Sequence, residues 1–106
     1  MREITIEELK KKLDSADIQL IDIRPSAIFE EGHVNIPSIK NIPFRELPHH
    51  LQELKKKETV YILCSHGNSS LLAATFLEEE GFDTVSVIGG TEAWKEKYLK
   101  RTYSKK

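Results

Sequence analysis

The sequence has only one cysteine, Cys64, among its 106 residues, so no disulfide can form within the chain. A lone thiol suits a reducing compartment, and we expect a cytoplasmic protein. No apolar run approaches the ~20 residues that a membrane-spanning helix needs. The N-terminal stretch MREITIEELKKKLD also lacks the uninterrupted apolar core of a signal peptide. From these features we expect no association with a membrane.

An excess of charge of either sign is also missing. The 16 Lys and Arg residues nearly balance the 17 Asp and Glu residues, and the formal net charge is −1. We therefore expect no general attraction to nucleic acid or to an anionic membrane surface. Neither an internal repeat nor a low-complexity linker is present. Hydrophobic residues make up 39% and charged residues 31%, which is typical of one soluble domain with a single core.

Short strand patterns alternate with helix patterns along the chain. Apolar and β-branched residues predict buried strands at residues 19–23, 59–63 and 84–88, and shorter strands at residues 3–5 and 39–42. Because helices fill the intervals, the strands are expected to run parallel. The alternation predicts one α/β domain with a central, mostly parallel sheet flanked by helices on both faces.

Residues typical of helix starts and helix ends occur in the intervals between the predicted strands. Thr5 and Glu8 form a capping box before the first helix, and Pro25 stands where a short second helix would start. A third helix is predicted over residues 44–54, with an interruption near Pro48.

The helix predicted over residues 69–80 ends at Gly81 and repeats apolar residues at helical spacing. Its sheet-facing side is predicted to consist of Leu72, Ala73, Phe76 and Leu77, whereas Glu78 and Glu79 should be exposed. Gly89 and Gly90 then turn the chain into a last helix, in which core packing is expected of Ala93, Trp94 and Leu99.

Cys64 lies just past the carboxyl end of a predicted central strand, where open α/β sheets place their ligand crevices. The residues after it lead into a helix N-terminus, whose unpaired N–H groups favour negative charge. Gly67 lets the backbone curl, so several N–H groups can point at one place. Such a loop favours the thiolate form of Cys64 and suits a sulfur nucleophile. A buried cysteine that serves as a small hydrophobe is the alternative.

Four stretches resemble the motifs of a single-domain rhodanese, a family of sulfurtransferases. They are LIDIRPSAIFEEGHV, NIPFREL, YILCSHGNSSLLAATFLEEEGF and VIGGTEAW, and their order and spacing match across nearly the whole chain. The resemblance implies a rhodanese-like domain over residues 1–98, followed by a basic tail at residues 99–106. It implies no cofactor, and we expect a monomer because such a domain closes its own core.

The resemblance also implies a reaction. Cys64 would accept a sulfane sulfur as a persulfide and pass it to a thiol or cyanide acceptor. The donor would be thiosulfate or another persulfide. The loop that cradles the persulfide and its anionic donor would comprise Ser65, His66, Gly67, Asn68, Ser69 and Ser70.

The loop departs from the family pattern in its charge. The family often reads Cys-Arg-x-Gly-x-Arg-Ser, but Ser65 and Ser69 stand at the two arginine positions. Serine offers an oxyanion one hydroxyl where arginine offers a fixed fork of donors. His66 can supply positive charge when protonated, although a solvated loop residue is the preferred interpretation.

Three function classes therefore remain open. The first is an enzyme that turns over small sulfane donors, and the second is a sulfur-relay module that carries persulfide for a partner protein. The missing arginines favour the second somewhat. The third is a cysteine phosphatase or arsenate reductase of the Cys-x5-Arg type. It ranks last because Ser70 stands at the arginine position and offers no bidentate partner to phosphate.

The remaining polar candidates receive structural interpretations. Asp22 and Arg24 are expected to form an ion pair or to anchor a loop, in preference to a catalytic role. His33 is expected to fix a loop by a hydrogen bond. The pair His49-His50 has no further ligand nearby in the sequence, so we expect no metal site. After His33 the chain has two residues more than the family pattern, which predicts an insertion in a surface loop near Asn35.

Overall fold

The central feature of the fold is a five-stranded sheet in which all four strand pairings are parallel. A computed structural model of the chain describes residues 2–105, with side chains described through residue 98. The strands are β1 (Arg2–Ile4), β2 (Gln19–Asp22), β3 (Gly32–Val34), β4 (Lys40–Asn41), β5 (Val60–Leu63), β6 (Thr84–Val87) and β7 (Tyr103–Lys105). The sheet order is β1-β6-β5-β2-β4, and a separate antiparallel pair joins β3 to β7.

Four α-helices and two 3₁₀ segments connect the described strands. The helices are α1 (Ile6–Ser15), α2 (Ser26–Glu31), α3 (Ser69–Glu79) and α4 (Gly90–Thr102), and the 3₁₀ segments are Phe44–His49 and Leu51–Glu53. The predicted capping box is confirmed, since Thr5 Oγ1 accepts the Glu8 N–H and Glu8 Oε1 accepts the Thr5 N–H. No helix in residues 2–105 is both long and apolar enough to cross a bilayer.

Helices α1 and α4 cover one face of the sheet. The core on this side joins α1 to alternate residues of the central strands and to Trp94 of α4, as in Leu9, Leu20, Leu63, Val87 and Trp94. Trp94 is only 1% exposed, which confirms its predicted place in the core. The prediction for Leu99 falls outside the described side chains.

Helix α3 and the 3₁₀ segments cover the opposite face. Their core includes the intervening strand residues, as in Ile21, Ile62, Leu47, Ala74 and Leu77. Because every residue of β5 is buried, this strand reads as a continuous apolar run without alternation. The predicted α/β fold, with a parallel sheet and helices on both faces, is thus confirmed.

The predicted orientation of α3 was wrong at Leu72, which is 63% exposed. The buried stripe of this helix instead consists of Ser70, Ala73, Ala74 and Leu77, at a spacing of three and four residues. Phe76 is half-buried and packs against the edge of the core. Small side chains let the helix approach the sheet closely, and the larger Leu72 is left outside.

Glu78 and Glu79 are exposed, as predicted, but Glu78 has a structural contact. Its carboxylate accepts hydrogen bonds from the N–H and the hydroxyl of Thr84, at 3.0 and 2.8 Å. These bonds lower the pKa of Glu78, with the Thr84 hydroxyl as the largest cause. The end of α3 is therefore tied to the start of β6.

Two segments differ from the predicted elements. The segment after Pro43 forms two 3₁₀ pieces in place of an interrupted α-helix, because Pro48 has no N–H to donate within a helix. Strand β3 was not predicted, and Val34 within it is fully buried. The extra residues after His33 therefore begin inside a strand, although Asn35 is exposed.

The backbone remains regular beyond residue 98. Helix α4 continues to Thr102, and β7 pairs with β3 through Tyr103, Ser104 and Lys105. The side chains of residues 99–106 lie outside those described, and the division of the chain at residue 99 stays a prediction.

Replacing Leu77 with Ala should lower the free energy of unfolding by about 2–5 kcal/mol, because the change opens a cavity in the core. Leu72→Ala is the matched control on the same helix and should change it by less than about 0.5 kcal/mol. Urea or guanidinium denaturation curves measure both values. An equal loss in the two variants would contradict the observed orientation of α3.

Candidate active site

A cavity of about 260 Å³ opens at the carboxyl edge of the sheet, between the ends of β2 and β5. One side consists of the loop that follows β5, contributed by Cys64, Ser65, His66, Asn68 and Ser69. The opposite wall contains Ile23, Arg24 and Pro25, which follow β2, and Phe44, which begins the first 3₁₀ segment. The cavity thus lies at the sheet edge where a ligand crevice is predicted, and the only cysteine of the sequence lines it.

Two backbone N–H groups point at the sulfur of Cys64. The N–H of Gly67 lies 3.1 Å from Sγ and that of Ser70 lies 3.2 Å from it. Cys64 itself is only 4% exposed. Donors fixed in this way stabilise negative charge on a sulfur atom.

The sulfur also completes the N-terminus of α3. Asn68, at the N-cap position, makes no side-chain capping bond, and the N–H of Ser70 in the first turn donates to Cys64 Sγ. The thiol therefore occupies a position that favours an anion, at the positive end of an 11-residue helix.

The first turn of α4 binds the carbonyl groups of the same loop. Thr91 N–H donates to the Cys64 carbonyl at 2.8 Å, and Glu92 N–H donates to the Ser65 carbonyl at 2.9 Å. These two bonds hold the start of the loop against α4, and the N–H groups of Gly67 and Ser70, further along the loop, point at the sulfur.

Glycines make these close approaches possible. A Cβ on Gly90 would lie 2.2 Å from the Cys64 carbonyl oxygen, closer than any real contact. Gly67 has a φ of 95°, and a Cβ there would lie 2.9 Å from the backbone nitrogen of Gly89. A side chain at either position would separate the loop from α4.

Ser70 contributes to the site through its backbone. Its side chain is fully buried, and its Oγ lies 2.6 Å from Oγ of Ser86 on β6. This hydroxyl pair joins the first turn of α3 to the sheet below. By contrast, His66, Asn68 and Ser69 are exposed at the mouth of the cavity.

Asp22 and Arg24 form a buried ion pair at the end of β2, with 2.8 Å between Arg24 Nη2 and Asp22 Oδ2. Asp22 Oδ1 also accepts the backbone N–H of Arg24, and Arg24 Nη2 donates to the Gly32 carbonyl. Asn41 Nδ2 donates to the carbonyl groups of both residues. This network holds the wall of the cavity in place.

His33 and His50 have different surroundings, and neither lines the cavity at Cys64. His33 Nδ1 donates to the Val34 carbonyl at 3.0 Å, and its ring stacks on Phe29. His50 lies between Glu46 and Glu53, whose carboxylates raise the pKa of its imidazole, chiefly through the hydrogen bond to Glu53. Within residues 2–98 no group of three or more histidine, cysteine or acidic side chains is arranged to hold a metal ion.

A larger cleft, of about 750 Å³, opens at the opposite end of β2 beside Gln19 and Lys40. It contains neither the cysteine nor a helix N-terminus. Because Cys64 and the two N–H groups at its sulfur lie at the smaller cavity, that cavity is the candidate site.

Sequence reasoning missed four contributors: Phe44 in the wall, Ser86 beneath the loop, and the N–H groups of Thr91 and Glu92 behind it. The pair Gly89-Gly90 could have indicated the contact between the loop and α4, because two glycines before a helix mark a close backbone approach. Phe44 and Ser86 carried no signal, since each belongs to a neighbouring element that only the fold brings to the site.

Comparison with known proteins gives consistent matches. The model of the rhodanese-like domain family matches residues 5–97. Thiosulfate sulfurtransferase GlpE of Pseudoalteromonas translucida is 33% identical over 101 residues, with 94% of each chain covered. The putative sulfur carrier protein YrkF of Bacillus subtilis is 33% identical over 94 residues, which are 87% of this chain and 50% of that protein. The chain thus spans about half the length of that relative.

Among solved structures, the crystal structure of a rhodanese-like domain protein from Staphylococcus aureus superimposes with a TM-score of 0.83. The two chains are 38% identical, and the match covers 89% of this chain and 91% of the other.

Gly90→Ala should disrupt the loop, because its Cβ would collide with the Cys64 carbonyl and separate the loop from α4. We expect a loss of about 1–3 kcal/mol in the free energy of unfolding and a large fall in Cys64 reactivity toward an alkylating agent. Gly81→Ala is the control: its φ is also positive, at 96° against 60° for Gly90, but it faces only the flexible Lys56 side chain. Unchanged Cys64 reactivity in folded Gly90→Ala would contradict the proposed role of the contact.

Proposed function

The chain belongs to the rhodanese-like domain family, and we propose that it is a sulfurtransferase that carries sulfane sulfur on Cys64. The observation that carries this proposal is the pair of N–H groups aimed at Cys64 Sγ at the base of an open cavity. A purely structural cysteine needs neither the donors nor the cavity. The relatives named as a thiosulfate sulfurtransferase and as a putative sulfur carrier protein support the same role.

In the first step, the Cys64 thiolate attacks the outer sulfur of a donor such as thiosulfate. A new sulfur–sulfur bond forms, the donor's own sulfur–sulfur bond breaks, and sulfite leaves with the electron pair. Cys64 becomes a persulfide whose terminal sulfur carries the negative charge. The N–H groups at Sγ stabilise the thiolate that attacks in this step and that is released again in the next.

In the second step, a thiolate or cyanide attacks the terminal sulfur of the persulfide. The persulfide bond breaks, the acceptor leaves as a new persulfide or as thiocyanate, and the Cys64 thiolate is restored. Both steps use the same sulfur atom and the same donors, so the site needs no second nucleophile.

The mouth of the cavity has little positive charge for an anionic donor. Ser65 and Ser69 provide hydroxyl groups, and the Arg24 guanidinium is bound to the Asp22 carboxylate. Thiosulfate, a dianion, would approach a thiolate with little to offset their repulsion. We therefore propose weak turnover of thiosulfate. A sulfur-relay role with a partner protein is the second candidate function, and the same neutral loop favours it.

Transfer of sulfur from thiosulfate to cyanide should disappear when Cys64 is replaced by Ser, because a hydroxyl cannot form the persulfide. The thiocyanate product measures this transfer by its colour with ferric iron. Circular dichroism and a thermal melt serve as controls for the fold. Thiocyanate formation at the wild-type rate in Cys64→Ser would exclude the proposed mechanism.

Ser69→Arg should raise kcat/KM for thiosulfate by about ten-fold or more, because a hydrogen bond to a charged group contributes roughly 1.5–3 kcal/mol. Ser65→Arg should act in the same direction. A small alkyl persulfide, which carries one negative charge where thiosulfate carries two, should gain less, and added salt should reduce the gain for thiosulfate.

The matched control is Ser69→Gln, which adds length and hydrogen-bonding groups without the charge. Equal gains with both donors, or equal gains from Gln and Arg, would show that charge does not limit thiosulfate turnover.

A further inference from the structure

We propose that Ser86 of β6 is a positioning residue for the reaction at Cys64, because its hydroxyl holds the Ser70 N–H at the sulfur from beneath the loop. The inference rests on the proposed role of Cys64 as the sulfur nucleophile. Ser86 does not line the cavity, so it would act on the reaction through Ser70 alone.

The sheet fixes the position of Ser86. Strand β6 lies between β1 and β5, and Ser86 is paired with Glu3 on one side and with Ile62 on the other. Its neighbours Val85 and Val87 belong to the core beneath α1 and α4, so Ser86 lies on the opposite face, which α3 covers. The backbone that carries the Ser86 hydroxyl is therefore held by both adjacent strands.

One hydrogen bond connects this hydroxyl to the first turn of α3. Ser86 Oγ lies 2.6 Å from Ser70 Oγ, and both residues are fully buried. The N–H of Ser70 lies 3.2 Å from Cys64 Sγ. Because Asn68 at the N-cap position makes no side-chain capping bond, the helix start lacks the usual side-chain support. The hydroxyl pair supplies a tie at this point, and it holds the residue whose N–H points at the sulfur.

Loss of the Ser86 hydroxyl should move the first turn of α3. The Ser70 hydroxyl would then be buried without its partner on the strand, which is unfavourable. The first turn should relax by shifting this hydroxyl toward water or toward a backbone carbonyl group. Such a shift lengthens the bond from the Ser70 N–H to Cys64 Sγ, so the thiolate loses part of one of its two N–H donors.

The other end of α3 offers a matched control, because it is tied to the same face of β6 far from the sulfur. The hydroxyl of Thr84, two residues before Ser86, donates to the Glu78 carboxylate at 2.8 Å. Like Ser86, Thr84 is fully buried. Thr84→Val removes this hydrogen bond with little change of shape. It should lower the free energy of unfolding and leave the ionisation of Cys64 unchanged.

The single cysteine of the sequence makes the thiolate directly measurable. A thiolate absorbs ultraviolet light more strongly than a thiol does, and the difference from Cys64→Ser reports Cys64 alone. At a fixed pH near neutrality, Ser86→Ala should lower the ratio of thiolate to thiol by about three- to ten-fold, because one of two donors is weakened. Alkylation of Cys64 by iodoacetamide should slow by a similar factor, and Thr84→Val should retain the wild-type ratio.

A double variant separates positioning from stability. Ser70→Ala combined with Ser86→Ala removes both hydroxyl groups, so neither is left buried without a partner. The free energy of unfolding, measured by urea denaturation, should therefore recover relative to Ser86→Ala. The thiolate ratio should stay low, because the tie between the first turn of α3 and β6 is still absent.

Three results would overturn the proposal: a wild-type thiolate ratio in folded Ser86→Ala, an equal fall of the ratio in Thr84→Val, or a ratio that recovers together with stability in the double variant. If Ser86→Ala does not fold, the double variant decides by the same ratio. An unchanged ratio together with undiminished sulfur transfer through Cys64 would reject the role of Ser86 and leave the sulfurtransferase function intact. Absence of sulfur transfer from every donor in the wild-type protein would reject both.

Discussion

The contact between the active-site loop and the first turn of α4 is the constraint on which the site depends. Thr91 and Glu92 donate their N–H groups to the carbonyl groups of Cys64 and Ser65. These bonds hold the start of the loop against α4, and the N–H groups of Gly67 and Ser70 in the same loop point at Cys64 Sγ. The contact requires a glycine at position 90, because a Cβ there would overlap the Cys64 carbonyl oxygen. The anion-stabilising geometry at the sulfur is therefore set by backbone packing.

The parallel sheet makes this contact possible. Strands β5 and β6 are adjacent and end at the same edge, so the loop after β5 and the helix after β6 begin beside each other. The hydroxyl pair of Ser70 and Ser86 adds a direct tie between α3 and β6. On the other side, the buried pair of Asp22 and Arg24 holds the wall that follows β2. Rigid elements thus position a loop that has few charged groups of its own.

The sequence predicted the parallel sheet and the position of Cys64 because both follow from local patterns. Apolar runs alternate with helix signals, and Cys64 stands directly between a strand and a helix start. The orientation of α3 could not be read in this way, because Ser70, Ala73 and Ala74 are small and carry little hydrophobic signal beside Leu72. The wall containing Phe44 and the tie to Ser86 come from residues distant in sequence, so they required the assembled sheet.

The central claim is that Cys64 carries sulfane sulfur, and the intact mass of the protein tests it most directly. Purified protein is treated with thiosulfate or a persulfide donor, and its intact mass is measured by mass spectrometry before and after a reducing agent is added. The account predicts a fraction heavier by the mass of one sulfur atom, located on the peptide that contains Cys64 and removed by the reducing agent or by cyanide. An unchanged mass with every donor, or an added sulfur that neither reagent removes, would contradict it.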